Sequence, residues 1–239
     1  MNVLWLSRDV DYENLYMLYS FISSSNRSWD FKLILDKVQE VGKEFFSLPM
    51  EEKQKCLRAA CDGKGFGSDV VISKQQVLDW NNRLFLMVWK IREGIFGQKV
   101  VMILETLIEN RKRIRSVMYV VFKATTRSLK LEENVFLKHF GEEAVMQVRF
   151  NFYPPCPRSD NVLGLKPHSD KSGLTVLLQD QEVEGLQLFE DGVWSRVPTI
   201  PHALVVNHGD QMEDYLFTSS TMAEVPTIWI YMNYGTRRI

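Results

Sequence analysis

Gly164-Leu165-Lys166-Pro167-His168-Ser169-Asp170 runs almost directly into the apolar stretch Leu174-Thr175-Val176-Leu177-Leu178-Gln179. On extended backbone, residues i and i+2 project to one face. The His168 imidazole and the Asp170 carboxylate therefore reach a common point while Ser169 faces away. They are two of the three ligands of the 2-His-1-carboxylate arrangement, which leaves positions open on a non-haem Fe(II). Alone the pair is a weak signal, because a His-x-Asp also arises by coincidence on any surface. Its surroundings decide.

Upstream lies Val148-Arg149-Phe150-Asn151-Phe152-Tyr153-Pro154-Pro155-Cys156-Pro157, alternating in polarity and then stopped by prolines that cannot continue a ladder. Downstream come Gly185-Leu186-Gln187-Leu188-Phe189, Val193-Trp194-Ser195-Arg196-Val197 and Ala203-Leu204-Val205-Val206-Asn207, with Asp191-Gly192 as a hairpin signal between the first two. Short strands at this spacing indicate a sandwich or barrel.

The run from Asn151 through Gln211 resembles the plant Fe(II)- and 2-oxoglutarate-dependent dioxygenases, which oxidise specialised metabolites and hormones. The resemblance rests on Asn151-Phe152-Tyr153-Pro154-Pro155-Cys156-Pro157, Lys166-Pro167-His168-Ser169-Asp170, the hairpin from Leu177 to Leu188, and Val206-Asn207-His208-Gly209-Asp210-Gln211-Met212-Glu213. Val41 to Pro49 and Leu78-Asp79-Trp80 resemble the family's N-terminal helical region, so the likeness covers roughly residues 36–89 and 104–214. It implies a mainly β core with α-helices: an incomplete double-stranded β-helix, or jelly roll, flanked by N-terminal helices. It also implies that His168 and Asp170 bind Fe(II), that Tyr153 hydrogen-bonds the distal carboxylate of 2-oxoglutarate, and that Asn151 sits near the metal. Trp80 and Phe85 line the substrate mouth by resemblance, with structural packing as the competing account. The implied reaction is oxidation of a small plant metabolite with release of succinate and CO2, with ascorbate as an accessory by family resemblance.

The chain also departs from the family pattern, which places a second metal-binding histidine and then an Arg-x-Ser pair well beyond the Gly209-Asp210-Gln211-Met212-Glu213 turn. Tyr215 to Ile239 contains no histidine, and Arg237-Arg238 is followed by Ile239 rather than by a serine at the required spacing. The remaining histidines are His139, in a helical-looking segment from Leu131 to Phe140; His202, after a proline at a turn and expected to face solvent; and His208. His208 reads either as a substitute ligand or, more ordinarily, as a plain substitution at a strand end. Residues 1–30 carry none of the family's opening elements beyond a remnant at Ser28-Trp29-Asp30-Phe31, and 89–103 reads as foreign to it. Codons for Ile95 to Lys99, read one frame over, can encode the Phe-Trp-Pro-Glu element that the family carries there, which points to a shifted frame. The expected activity is therefore impaired. The alternatives are a non-catalytic small-molecule-binding protein and a mispredicted product of an active dioxygenase gene.

Helical periodicity runs through Phe31, Ile34, Leu35, Val38, Val41 and Phe45, and again from Met102 to Leu129 as one long helix. Between them, Ser47 is expected to cap a helix that Gly63 and Gly65 end. The division expected is a helical N-terminal region at 1–140 (divergent at 1–30 and 89–103), a partial jelly-roll core at 141–214 and a divergent tail at 215–239. In that tail, Glu224 to Met232 is β-rich enough to pair with a sheet or to aggregate. With a net charge of −1, nothing favours nucleic acid, and no apolar run suggests a membrane span. Cys56, Cys61 and Cys156 read as reduced thiols, so a cytoplasmic monomer acting on a small molecule is expected.

Overall fold

The computed structural model describes residues 2–5, 20–23, 29–57, 64–68, 74–76, 78–88, 98–109, 111–140, 144–190, 192–212 and 227–235. The segment Trp89–Gly97, Cys61, most of residues 1–30 and the tail before Thr227 lie outside the described residues.

The first periodic stretch is helix α1 (Trp29–Ser47), which buries Ile34, Leu35, Val38, Val41 and Phe45 along one stripe. Ser47 turns its hydroxyl back onto the Lys43 carbonyl (2.9 Å) and caps nothing downstream. Helix α2 (Met50–Gln54) instead begins after Pro49, without a side-chain cap, and buries no residue. With no apolar face to extend it, α2 ends long before Gly63. Cys56 then accepts a backbone bond from Phe66 (2.7 Å), where the chain enters the sheet.

The apolar pattern from Met102 to Leu129 is carried by two helices rather than one: α3 (Gln98–Glu109) and α4 (Arg111–Ser128). Each has its own buried stripe, Val100, Ile103, Leu104 and Leu107 on α3 and Val117, Met118, Val121 and Phe122 on α4. A short helix α5 (Val135–Phe140) follows. Its Phe140 ring stacks on Phe122 at 5.6 Å and occupies the space where a side chain at residue 173 would stand, so Gly173 is needed for close packing.

The described residues include ten strands, in chain order β1 (Asn2–Trp5), β2 (Ser20–Ser23), β3 (Gly65–Gly67), β4 (Asn82–Met87), β5 (Val145–Tyr153), β6 (Leu174–Leu178), β7 (Gln187–Glu190), β8 (Val193–Arg196), β9 (Ala203–His208) and β10 (Thr227–Gly235). Eight form one open sheet in the order β1-β2-β9-β6-β10-β5-β4-β3, and β7 and β8 make a separate ribbon. Strands and helices share the described residues, and the main sheet does not close into a barrel. The β-rich tail is a central strand: β10 lies between β5 and β6, parallel to both, with Trp229 in register with Gln147 and Thr175. The other pairs of the sheet are antiparallel. Strands β3 and β4 arise within the region expected to be helical.

Strand alternation gives the sheet two chemically different faces. Leu84 and Leu86 of β4, Met146, Val148 and Phe150 of β5, Leu174, Val176 and Leu178 of β6, and Leu204 and Val206 of β9 join the helices in the main core. Leu177, Ala203 and Val205 form a second cluster on the opposite face with Val197, against Leu186 and Leu188. That opposite face also carries the polar residues of β5.

His208 falls on the core side, next in alternation after Leu204 and Val206. The Thr125 hydroxyl of α4 donates to the Val121 carbonyl (3.0 Å) and so receives the Nε2–H of His208 (3.1 Å). His208 Nδ1 has no hydrogen-bond partner among the described residues. Burial lowers the pKa of His208 to about 4, so the ring is neutral at pH 7. The unfolded chain takes up this proton near pH 6.5 and the folded chain only near 4. Stability is therefore full above pH 6.5 and falls between pH 6.5 and 4, by about 1.4 kcal/mol per pH unit at most. Denaturant titrations over this range are expected to show that decline in the wild type and a flatter profile in His208→Gln.

Candidate metal centre

Between β5 and β6 the chain turns through prolines and a short 3-10 turn at Ser159–Asn161, then runs without strand pairing to Leu174. His168 and Asp170 lie in this unpaired run, with His168 Nε2 3.6 Å from Asp170 Oδ1. One first-row metal ion can bridge that gap, its bonds to N and O being about 2.0–2.2 Å.

Each donor is oriented by a second bond. His168 Nδ1 lies 2.8 Å from the Lys166 carbonyl. A carbonyl only accepts, so Nδ1 carries the proton, and in the neutral ring the Nε2 lone pair faces the carboxylate. Asp170 Oδ2 accepts from Asn207 Nδ2 (3.0 Å). Asp170 Oδ1 is buried and has no hydrogen-bond partner among the described residues. A buried carboxylate oxygen facing an imidazole lone pair is a cation-demanding arrangement. His168 is the accessible partner, its side chain 41% exposed against 10% for Asp170.

The end of β9 holds the rest of this segment. Asp210 N–H donates to the Asp170 carbonyl (2.7 Å), and Ser169 Oγ donates to Asp210 Oδ2 (3.1 Å). Gly209 lies so close that a Cβ there would stand 2.1 Å from the Ser172 carbonyl oxygen and 2.4 Å from that of Asp170. Any side chain at 209 forces the Asp170–Ser172 backbone outward. Asn207 stands in a stretch that carries the family resemblance, but its contact with Asp170 was not read from the sequence and follows from the β6–β9 register that pairs it with Thr175.

Asn151 and Tyr153 lie on β5, in the i, i+2 series that begins at Arg149. Asn151 is 2% exposed and in register with Arg83 of β4. Tyr153 packs its ring where a Cβ on Gly164 would be (2.9 Å), beside the chain leading to His168. Burial, with a smaller push from Asp79 and opposition from Arg149 and Arg83, raises its pKa to about 12. The phenol is thus a fixed hydrogen-bond donor at neutral pH. Phe85 of β4 is half-buried, in register with Arg149. Trp80 donates its Nε1–H to the Pro154 carbonyl (3.1 Å) and borders a groove of about 360 Å³ with Cys156, Pro157, Arg158, Asn161 and Val162.

The other histidines do not join the pair. His208 Nε2 is committed to Thr125 on the helical face, whereas its neighbour Asn207 reaches Asp170. His202 is partly buried rather than solvent-facing, its Nδ1 3.2 Å from Asp36 of α1. His139, on α5, stands edge-on to Phe140 at 4.8 Å. Among the described residues no group of three His, Cys, Asp or Glu side chains could hold a metal. The residues present fit two positions of a metal's coordination sphere. No helix of the described residues is long and apolar enough to cross a membrane.

Comparisons with known proteins identify relatives of the chain. The 2OG-Fe(II) oxygenase superfamily profile matches residues 143–223, and that of the non-haem dioxygenase in morphine synthesis N-terminal matches residues 26–98. The chain is 38% identical to codeine O-demethylase of Papaver somniferum, over 76% of this chain and 51% of the relative. It is 41% identical to lateral branching oxidoreductase 1 of Arabidopsis thaliana, over 75% and 50%. It thus spans about half the length of the curated relatives it matches. The crystal structure of JOX2 in complex with 2OG, Fe and JA superposes with a TM-score of 0.73 at 30% identity, covering 82% of this chain and 58% of that one. The 2-oxoglutarate complex of dioxygenase for auxin oxidation 1 from Arabidopsis thaliana, at 20% identity and a TM-score of 0.64, shares the fold. With separate profiles matching its two halves and relatives spanning both, the chain belongs to the 2OG-Fe(II) oxygenase superfamily.

Proposed function

We propose that this chain carries the iron- and 2-oxoglutarate-binding half-site of a dioxygenase acting on a small organic molecule, with metal binding weakened and turnover impaired. The observation that supports it is the convergence of His168 Nε2 on the buried, unpartnered Asp170 Oδ1. His168 and Asp170 would hold Fe(II), each kept in place by its second bond, to Lys166 and Asn207 respectively. The Tyr153 phenol, protonated well past neutral pH, would donate to a carboxylate of 2-oxoglutarate, with Asn151 beside it. Fe(II) held there would supply redox chemistry in which O2 is the oxidant and 2-oxoglutarate is spent to succinate and CO2 as the substrate is oxidised. In this reading Trp80 and Phe85 border the substrate entrance, and the sheet is part of a double-stranded β-helix. Ascorbate would keep the iron reduced, and the protein would work as a cytoplasmic monomer.

Two protein ligands would hold a first-row metal without fixing its geometry. His139, His202 and His208 are all engaged elsewhere, which supports weak rather than tight binding. The same observation supports a second reading, a protein that binds a small molecule without turning it over.

Titration with Co(II), a spectroscopic stand-in for Fe(II), is expected to saturate the wild type. His168→Ala and Asp170→Asn are expected to lose this binding, and Asn207→Ala to weaken it by about 10–100-fold. A wild type that binds no metal, or a His168→Ala variant that binds it as well, contradicts the assignment. Iron- and 2-oxoglutarate-dependent succinate release then separates the two readings. Turnover at the rate of complete dioxygenases overturns the impaired-site proposal, and ligand binding without succinate favours the non-catalytic one.

A further inference from the structure

We propose that Asp79 is a positioning residue for His168 and acts through the Lys166 peptide. The proposal rests on the reading of His168 and Asp170 as a metal-holding pair, and extends it to a residue on a distant loop. Asp79 is almost wholly inaccessible, its side chain 4% exposed. Its Oδ1 accepts from the Lys166 backbone N–H at 3.0 Å and from the Lys166 ammonium at 3.1 Å. The carbonyl of that same Lys166 receives the Nδ1–H of His168 at 2.8 Å.

The chemistry of the intervening residue narrows the ways this segment can be held. Pro167 has no N–H and biases Lys166 toward extended conformations. The Lys166 N–H is therefore the last backbone donor ahead of His168 itself. Asp79 holds the N–H, and the carbonyl sets the imidazole's tautomer and aim. Burying a carboxylate costs free energy that only strong, well-placed partners offset, which argues against a casual contact.

Neighbouring bonds provide the contrast. Asn81 Nδ2 donates to the Gly164 carbonyl (2.6 Å), and Trp80 N–H donates to that of Leu163 (2.8 Å). These staple the same loop without touching Lys166. If loop attachment alone mattered, removing Asn81 would do as much as removing Asp79. If Asp79 acts through the Lys166 peptide, only Asp79 variants change the imidazole.

Long-range 1H–15N NMR of the metal-free chain reads the tautomer of each histidine, and Co(II) titration reads the affinity. Asp79→Ala and Asp79→Glu, which removes or displaces the acceptor, are expected to shift His168 away from the Nδ1–H form and to weaken Co(II) binding about tenfold or more. Asp79→Asn keeps an oxygen for the Lys166 N–H and is expected to restore both. Asn81→Ala is expected to leave both unchanged. The proposal is overturned if Asp79→Ala and Asp79→Glu keep the wild-type tautomer, or if Asn81→Ala perturbs His168 equally. Wild-type protein that binds no Co(II) sinks the metal-holding reading instead, and the tautomer signal still decides the role of Asp79.

Discussion

The segment from Gly164 to Ser172 presents two donors to one point without any strand pairing to support it. Everything around the site serves that constraint. A free loop samples many backbone states, and fixing each residue costs about 1–2 kcal/mol. Here the fixing groups come from two directions. The end of β9 grips the Asp170 side through Asn207 and Asp210. The loop ahead of β4 grips the His168 side through Asp79, Trp80 and Asn81. The sheet's role is to bring those two grips to the same place.

That role explains the division of labour across the faces. The helical face is apolar and well filled, from the Phe45–Phe46–Phe66–Phe152 aromatic cluster to the Phe122–Phe140 stack. It contributes rigidity and takes His208 out of play by burying it neutral against Thr125. The opposite face carries Arg149, Asn151 and Tyr153 at alternate positions, and Asn207 at the far side of β10. Moving from His208 to Asn207 is a single step along β9, yet it exchanges a core contact with Thr125 for a contact with Asp170. Period-two alternation is enough to produce that separation.

Much of this was legible in the chain. Alternation and turn residues located β5, β6, β7, β8 and β9, and the i, i+2 argument joined His168 to Asp170. Strand β4 was harder, because Leu84 and Leu86 face the core while Phe85 and Met87 on its other side are also apolar, which erases the alternating signal. The two helices α3 and α4 read as one because apolar residues continue at helical spacing across their boundary. The pairing of β10 with β5 and β6 is a long-range choice that no local window contains. Asn207 and Asp79 escaped for a related reason. Each stands in a stretch that carries the family resemblance, yet its contact exists only when register or loop approach places it beside the segment from Gly164 to Ser172.

The central claim is that a single histidine, His168, held with its Nδ1–H on a backbone carbonyl, offers Nε2 to a metal shared with Asp170. Proton NMR of the Co(II)-loaded chain tests it most directly, since a coordinated imidazole with a protonated far nitrogen gives a paramagnetically shifted, exchangeable N–H resonance. The account predicts one such resonance, absent from His168→Ala. None, or one that survives that substitution, would contradict it.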